Sequence, residues 1–115
     1  MEPILLVLTS APDGEAARAL ADGLIAARLA ACVNLLGACT SVYRWKGAVE
    51  TASEIPMLIK TRAALLPEVE AFILSQHPYQ VPELIALPVG GGSSAYLEWL
   101  VQETQLEAHG TVQRS

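Results

Sequence analysis

The chain has 115 residues and a formal charge of −5, with seven Lys and Arg against twelve Asp and Glu. This acidic balance opposes attraction to nucleic acid and to anionic lipid, so neither is expected as a partner. The length suits one domain with its own core, and the excess of hydrophobic residues (52%) over charged residues (17%) predicts that the chain hides surface against copies of itself.

The sequence predicts a cytoplasmic protein. Glu2 stands where an export signal requires positive charge. The apolar stretch 24–36 is interrupted by Arg28 and Asn34, and it is shorter than the roughly 20 apolar residues that span a bilayer. Two cysteines in a chain without an export signal indicate reduced thiols rather than a disulfide framework.

The first predicted elements are a strand and a helix. Residues 4–8 are a short apolar run, which favours a strand buried on both faces. Asp13 is suited to cap a helix, and apolar residues then recur at helical spacing. We therefore expect an amphipathic helix over residues 14–28, which ends at Arg28.

A strand-like region and a hairpin follow. Residues 33–45 alternate as a strand does, with Gly37 as the expected bend or bulge. Lys46 and Gly47 favour a tight turn into a second strand that runs to about Arg62.

The last third of the chain predicts helix, strand and helix. Residues 64–76 carry a buried apolar stripe, and residues 84–89 form an apolar run that is typical of a strand. Ser94 is expected to cap a short helix that ends near residue 103. The tail 104–115 is polar and is expected to fray.

The order β-α-β-β-α-β, with an added C-terminal helix, indicates an α+β, ferredoxin-like fold in one domain, residues 1–103. Both main helices would then lie on one face of a four-stranded antiparallel sheet. The strands at 4–8 and 84–89 are apolar on both sides, so the bare face should also be covered. Because no other part of the chain is expected to cover it, the pattern predicts self-association through the sheet.

The segment HPYQVPE, residues 77–83, carries the densest chemistry of the chain. It holds an imidazole, a phenol and a carboxylate together with two prolines, which stiffen the backbone and make His77 extended. A stiff polar loop is suited to a binding site. The alternative is that the segment only ends one helix and leads into the next strand.

Several motifs together resemble the CutA divalent-cation tolerance family. They are LAACVN (29–34), SVYRWKG (41–47), LIKTR (58–62), HPYQVPELIALPV (77–89) and YLEWL (96–100). The resemblance extends over residues 3–103 and implies a homotrimer that is similar in architecture to PII signalling proteins. It also implies a link to tolerance of copper or other divalent cations. We expect no enzymatic activity.

The resemblance implies copper ligands at three positions, which hold Thr9, Gln76 and His77 here. Only His77 is a good copper ligand, since a hydroxyl and an amide replace poorly the soft or imidazole ligands that copper prefers. Cys32, in the LAAC motif, is a second candidate, although buried cysteines are commonly small core residues. No cofactor is required on this interpretation, and copper or another divalent cation is the expected metal.

Other polar and aromatic residues near element ends suggest a ligand-binding cleft, which the resemblance places between subunits. The candidates are Tyr43, Trp45, Lys60, His77, Tyr79 and Glu83. Aromatic walls with one cation and one carboxylate suit a small anionic or zwitterionic ligand. The alternatives are hairpin packing for Tyr43 and Trp45 and a solvated strand edge for Lys60.

Three functions are therefore open at the level of the sequence. One is a homotrimer in divalent-cation tolerance that binds metal weakly. Another is a PII-like regulator that binds a small metabolite in the cleft, and the third is a structural or partner-stabilising trimer without chemistry. No catalytic motif for phosphate, acyl or metal-assisted chemistry occurs in the sequence.

Overall fold

Five strands and three α-helices follow one another in residues 2–105, the part of the chain that the computed structural model describes. They are β1 (Ile4–Ala11), α1 (Gly14–Ala26), β2 (Cys32–Leu35), β3 (Cys39–Trp45), β4 (Ala48–Arg62), α2 (Leu66–Gln76), β5 (Ile85–Pro88) and α3 (Ser94–Glu103). A short 3-10 helix, Ala63–Leu65, leads from β4 into α2.

The sheet is antiparallel throughout, with the strand order β2-β4-β1-β5. β3 pairs only with the first part of β4, beyond the end of β2. The expected single region 33–45 is therefore two strands, with the interruption at residues 36–38 around Gly37. With β2 and β3 taken together, this is the split βαβ order of the ferredoxin-like fold, as the sequence predicted.

Helix α1 begins as expected and ends two residues early. The Asp13 carboxylate accepts a hydrogen bond from the Ala16 backbone N–H at 2.8 Å. The helix ends at Ala26 rather than Arg28, since Arg28 has the left-handed value φ 57°. The Arg28 guanidinium donates to the backbone carbonyl of Glu103 at 3.1 Å, so the side chain connects the end of α1 to α3.

The hydrophobic core lies between one face of the sheet and helices α1 and α2. Val7 and Ile59, which are paired neighbours in the sheet, are fully buried with Leu24 of α1 and Ile73 of α2. Each such side chain contributes about 1.5–3 kcal/mol through burial. The two helices approach closely at Gly23, where a β-carbon would collide with the ring of Phe72.

Helix α3 lies on the opposite face of the sheet, which corrects the expectation that no other part of the chain covers that face. Side chains alternate along a strand, so Lys60 and Arg62 point away from the face that carries Ile59. The Lys60 ammonium lies 5.8 Å from the Tyr96 ring centroid, and the Arg62 guanidinium donates to Thr104. α3 therefore covers one end of this face.

The ends of α3 differ from the prediction. Its cap is Ser93 rather than Ser94, because the Ser93 hydroxyl accepts from the Tyr96 backbone N–H at 3.4 Å. Thr104, which the sequence assigned to the polar tail, is fully buried. Residues 106–115 of that tail lie outside the described residues. None of the helices in residues 2–105 combines the length and the apolar content that a bilayer crossing needs.

Candidate functional site

The outer part of the β3–β4 hairpin extends beyond the rest of the sheet. Its two-residue turn places Lys46 at φ 49° and Gly47 at φ 84°, the left-handed pair that a tight hairpin of this kind requires. Tyr43 lies opposite Glu50 in the register. Because side chains alternate between faces, Tyr43 and Trp45 share one face of the hairpin with Glu50.

His77 is a buried connection between the loop after α2 and strand β1. It is only 8% exposed and has the extended conformation expected of a residue before proline. Its Nε2 lies 2.6 Å from the Ser10 carbonyl oxygen, which can only accept, so Nε2 carries the proton. Nδ1 accepts from the Tyr79 backbone N–H at 3.0 Å, so both ring nitrogens are in use.

An open cleft of about 720 Å³ separates the hairpin from residues 78–83. Its volume falls in the range typical of small-molecule sites. The residues that line it and carry polar or aromatic groups are Ser10, Ser41, Tyr43, Trp45, Glu50, Glu54, Tyr79, Gln80 and Glu83.

Hydroxyl groups and carboxylates meet in this cleft. Glu54 is buried and accepts from the Ser10 hydroxyl at 3.2 Å, while the Tyr43 hydroxyl donates to Glu50 at 3.4 Å. Partial burial, followed by the neighbouring Glu54 carboxylate, raises the pKa of Tyr79 to about 12. Desolvation, followed by Glu50, also raises the pKa of Tyr43. Both phenols therefore remain protonated donors at neutral pH.

The structure brings together four of the six residues that the sequence proposed for a cleft. Tyr43, Trp45, Tyr79 and Glu83 line it. His77 lies directly behind the wall, with its ring centroid 4.8 Å from that of Tyr79. Lys60 does not line the cleft, since its ammonium lies over Tyr96 on the part of the sheet beside α3.

Sequence reasoning missed Ser10, Glu50 and Glu54. Glu50 could have been found, because a two-residue turn at 46–47 sets it opposite Tyr43 by simple counting. Ser10 and Glu54 carried no such signal. Their hydrogen bond joins residues 44 positions apart, and it depends on the pairing of the end of β1 with the middle of β4.

The positions implied as copper ligands differ in burial and in the hydrogen bonds that they make. The Thr9 hydroxyl is buried and donates to the Glu83 carbonyl oxygen at 2.7 Å, while Gln76 is exposed. Cys32 is half-buried and pairs with Lys60 in the sheet. Within residues 2–105 of one chain, no group of three His, Cys, Asp or Glu side chains is arranged to hold a metal ion. Metal binding at His77 or Cys32 stays a prediction.

Comparison with known proteins decides the family. The profile described as CutA1 divalent ion tolerance protein matches residues 5–103. This chain belongs to the CutA divalent-ion tolerance family. The divalent-cation tolerance protein CutA of Thermus thermophilus is 42% identical over 99 residues, which cover 86% of this chain and 96% of that protein.

Longer CutA proteins are also similar to this chain. Protein CutA of Homo sapiens is 47% identical over 94 residues, which cover 82% of this chain and 52% of the human protein. The chain thus spans about half the length of several curated relatives that it matches. The crystal structure of CutA1 from Oryza sativa has a TM-score of 0.88 at 42% identity and covers 92% of this chain and 97% of that one. The CutA fold expected from the sequence is confirmed.

Proposed function

We propose that this protein acts in divalent-cation tolerance as a cytoplasmic homotrimer that binds copper or another divalent cation weakly. Membership of the CutA family supports the role in tolerance. We propose no catalytic role, in keeping with the name of the family. Relatives include a protein named chloroplastic in Arabidopsis thaliana and one named periplasmic in Archaeoglobus fulgidus, so the compartment needs a direct test by cell fractionation.

The observation that carries the trimer is the apolar part of the sheet that α3 leaves uncovered. Ile85 and Leu87 of β5 are 51% and 44% exposed and pair with Leu8 and Leu6 of β1. Leu36, just after β2, is 44% exposed. Exposed apolar side chains at both edges of one sheet are typical of a protein interface. A second copy of the chain supplies a matching apolar surface.

The trimer is tested by native mass spectrometry of the wild type and the variant Leu87→Asp. A carboxylate enclosed in an apolar interface costs several kcal/mol, so the variant is expected to dissociate into monomers. The matched control is Leu74→Asp, since Leu74 is 58% exposed on α2, outside the sheet. A trimer that persists in Leu87→Asp would contradict assembly through the sheet.

Weak metal binding follows from the bonds of the candidate ligands. Both ring nitrogens of His77 make hydrogen bonds, one to the Ser10 carbonyl and one from the Tyr79 N–H. Copper that binds His77 has to displace one of them. Since one chain gathers no cluster of three ligands in residues 2–105, a stable site needs ligands from more than one subunit. Thiolate from Cys32 suits copper(I), and imidazole from His77 suits copper(II).

The same mass spectra, recorded with added copper and zinc, test the metal. We expect a bound metal mass that decreases in His77→Ala or Cys32→Ser. Cys39→Ser is the control, because Cys39 is an exposed thiol outside the family positions. An unchanged metal mass in both His77→Ala and Cys32→Ser would remove these two residues from the role.

A PII-like regulator is the second candidate function, and the cleft of about 720 Å³ is the observation that favours it. On this proposal the cleft binds a small metabolite, and the trimer transmits that state to a partner. A trimer without chemistry is the remaining alternative. It predicts that cells tolerate combined substitution of the cleft residues Tyr43, His77, Tyr79 and Glu83, whereas both other functions predict a loss.

A further inference from the structure

Arg28 has a backbone conformation that its residue type disfavours. At φ 57° it lies in the left-handed region, where a β-carbon is crowded and glycine is usual. The Arg28 N–H donates to the Ile25 carbonyl at 3.1 Å, and the Leu29 N–H donates to the Leu24 carbonyl at 3.0 Å, which is the Schellman pattern at a helix end. A glycine would end α1 here with less strain, so the arginine side chain needs a separate reason.

That reason is the C-terminal end of α3. The Arg28 guanidinium donates to the Glu103 backbone carbonyl at 3.1 Å and lies 3.7 Å from the Glu103 carboxylate. Arg62 donates to the Thr104 carbonyl at 2.7 Å and to the Thr104 hydroxyl at 2.9 Å. The last carbonyls of a helix lack partners within the helix, and charged donors bind them strongly. Two arginines from distant elements therefore fix this end of α3.

The other end of α3 has the features of a hinge. Residues 90–93 join β5 to α3, are exposed, and include three glycines. A β-carbon on Gly90 or Gly91 would meet nothing within 4 Å, and glycine leaves the backbone free to rotate. The Ser93 hydroxyl caps α3, so the helix keeps its own cap when it moves as a unit.

Between these two ends, α3 covers one end of the second face of the sheet. Leu100 is 1% exposed, and the half-buried Lys60 holds its ammonium 5.8 Å from the Tyr96 ring centroid. These contacts lie within one chain and stay in place when further subunits assemble around it.

We propose that α3 is a strap, which opens as a unit about Gly90–Gly92 and which Arg28 and Arg62 lock in the closed position. The closed strap controls access to the sheet surface around Lys60. This strap is a conformational device beyond divalent-cation tolerance and does not depend on that function.

The test is hydrogen exchange of the full chain at neutral pH, read by mass spectrometry. In the wild type, we expect the amides of α3 to exchange together and faster than those of Ile55–Arg62 in β4. Arg28→Ala removes the lock and is expected to accelerate exchange in α3 at least about tenfold, because it deletes a hydrogen bond from a charged donor. Arg28→Gly also removes the strain at this residue, and we expect the same acceleration in α3.

Ile59→Ala is the matched control, since Ile59 is buried in the core on the opposite face of the sheet. It destabilises the globally unfolded state's competitor, the folded core, without touching the strap. We therefore expect it to accelerate exchange in β4 and to leave exchange in α3 unchanged. Equal acceleration of α3 and β4 in Ile59→Ala would show that α3 opens only when the whole chain unfolds, which would overturn the strap.

Acetylation of the two lysines measures access. Lys46 is exposed at the hairpin turn and serves as the internal reference for Lys60. We expect Arg28→Ala to raise the rate of Lys60 acetylation relative to that of Lys46. An unchanged ratio would overturn the control of access, and unchanged α3 exchange in both Arg28 variants would overturn the lock. Native mass spectra of the same samples report subunit count and copper, so failure of the strap is distinguishable from failure of the proposed tolerance function.

Discussion

The two halves of β4 show how one strand serves two purposes. The inner half, Ile55–Arg62, lies between β1 and β2 and contributes Met57 and Ile59 to the core. The outer half, Ala48–Glu54, pairs with β3 alone and is mostly exposed, with Val49 at 63%. Tertiary packing stabilises the inner half, whereas the outer half is supported by the hairpin bonds and, at its inner end, by the bond between Glu54 and Ser10.

The boundary between the halves is Glu54, which is buried although the preceding residue, Ser53, is exposed. Here β1 ends, and the exposed hairpin extends past the core to form a wall of the cleft. The comparison teaches that the site depends on an element with little packing of its own. Such elements are commonly completed by a ligand or a second subunit.

The largest expected difference in the free energy of unfolding is between the variants Ile59→Ala and Val49→Ala. Ile59 is fully buried, so its truncation is expected to lower the free energy of unfolding by about 2–5 kcal/mol. Val49→Ala is expected to change it by less than about 0.5 kcal/mol. Urea unfolding at fixed protein concentration measures both. A large loss in Val49→Ala would indicate that another subunit buries the outer half.

Substitution of Arg62, the last residue of the inner half, is expected to have the next largest effect on stability. Its side chain is 14% exposed and donates to Glu2 and to the Thr104 carbonyl, both at 2.7 Å. Arg62→Ala leaves these acceptors unpaired and is expected to cost about 2–3 kcal/mol in urea unfolding. Arg18→Ala is the control, since its pair with Asp22 is exposed. Equal effects of the two variants would contradict this role of Arg62.

A substitution in the hairpin turn, at the tip of the outer half, is expected to have a smaller effect on stability. Gly47 has φ 84° and open space around it, so Gly47→Ala meets backbone strain without a clash and is expected to cost about 1 kcal/mol. Gly37→Ala is the matched control, because its surroundings are equally open and its φ is not in the left-handed region. Thermal unfolding compares the two. If Gly37→Ala lost as much stability as Gly47→Ala, strain at the turn would not be the cause.

The smallest expected effect is the change in stability at alkaline pH that Tyr79 causes. The pKa of Tyr79 is about 12 in the folded protein and about 10 when unfolded, so the unfolded chain loses the proton first. The contribution to stability is complete below pH 10 and is lost as the pH rises through 12. Tyr79→Phe should therefore flatten the decline in stability over this range. Tyrosinate absorbance that shows every tyrosine ionising near pH 10 would contradict the assignment.

Much of the fold could be predicted because its signals are local. Asp13 caps α1, Gly47 sets the hairpin, and the apolar run at residues 4–8 marks β1. The sequence did not show that Arg28 leaves the helix for Glu103, or that α3 crosses to the second face of the sheet. Both depend on contacts between residues 40 or more positions apart, to which periodicity is insensitive.

The candidate site shows the same division. The sequence by itself determined which chemical groups are present, where the chain turns, and that Tyr43 and Trp45 share a face, because strand geometry repeats every two residues. Only the tertiary structure decided that Glu54 is buried beside Ser10 and that Lys60 lies near Tyr96 instead of in the cleft. The sign of a cleft's charge depends on which distant side chains meet there, and that is set by how β1 and β4 pair and where α3 packs.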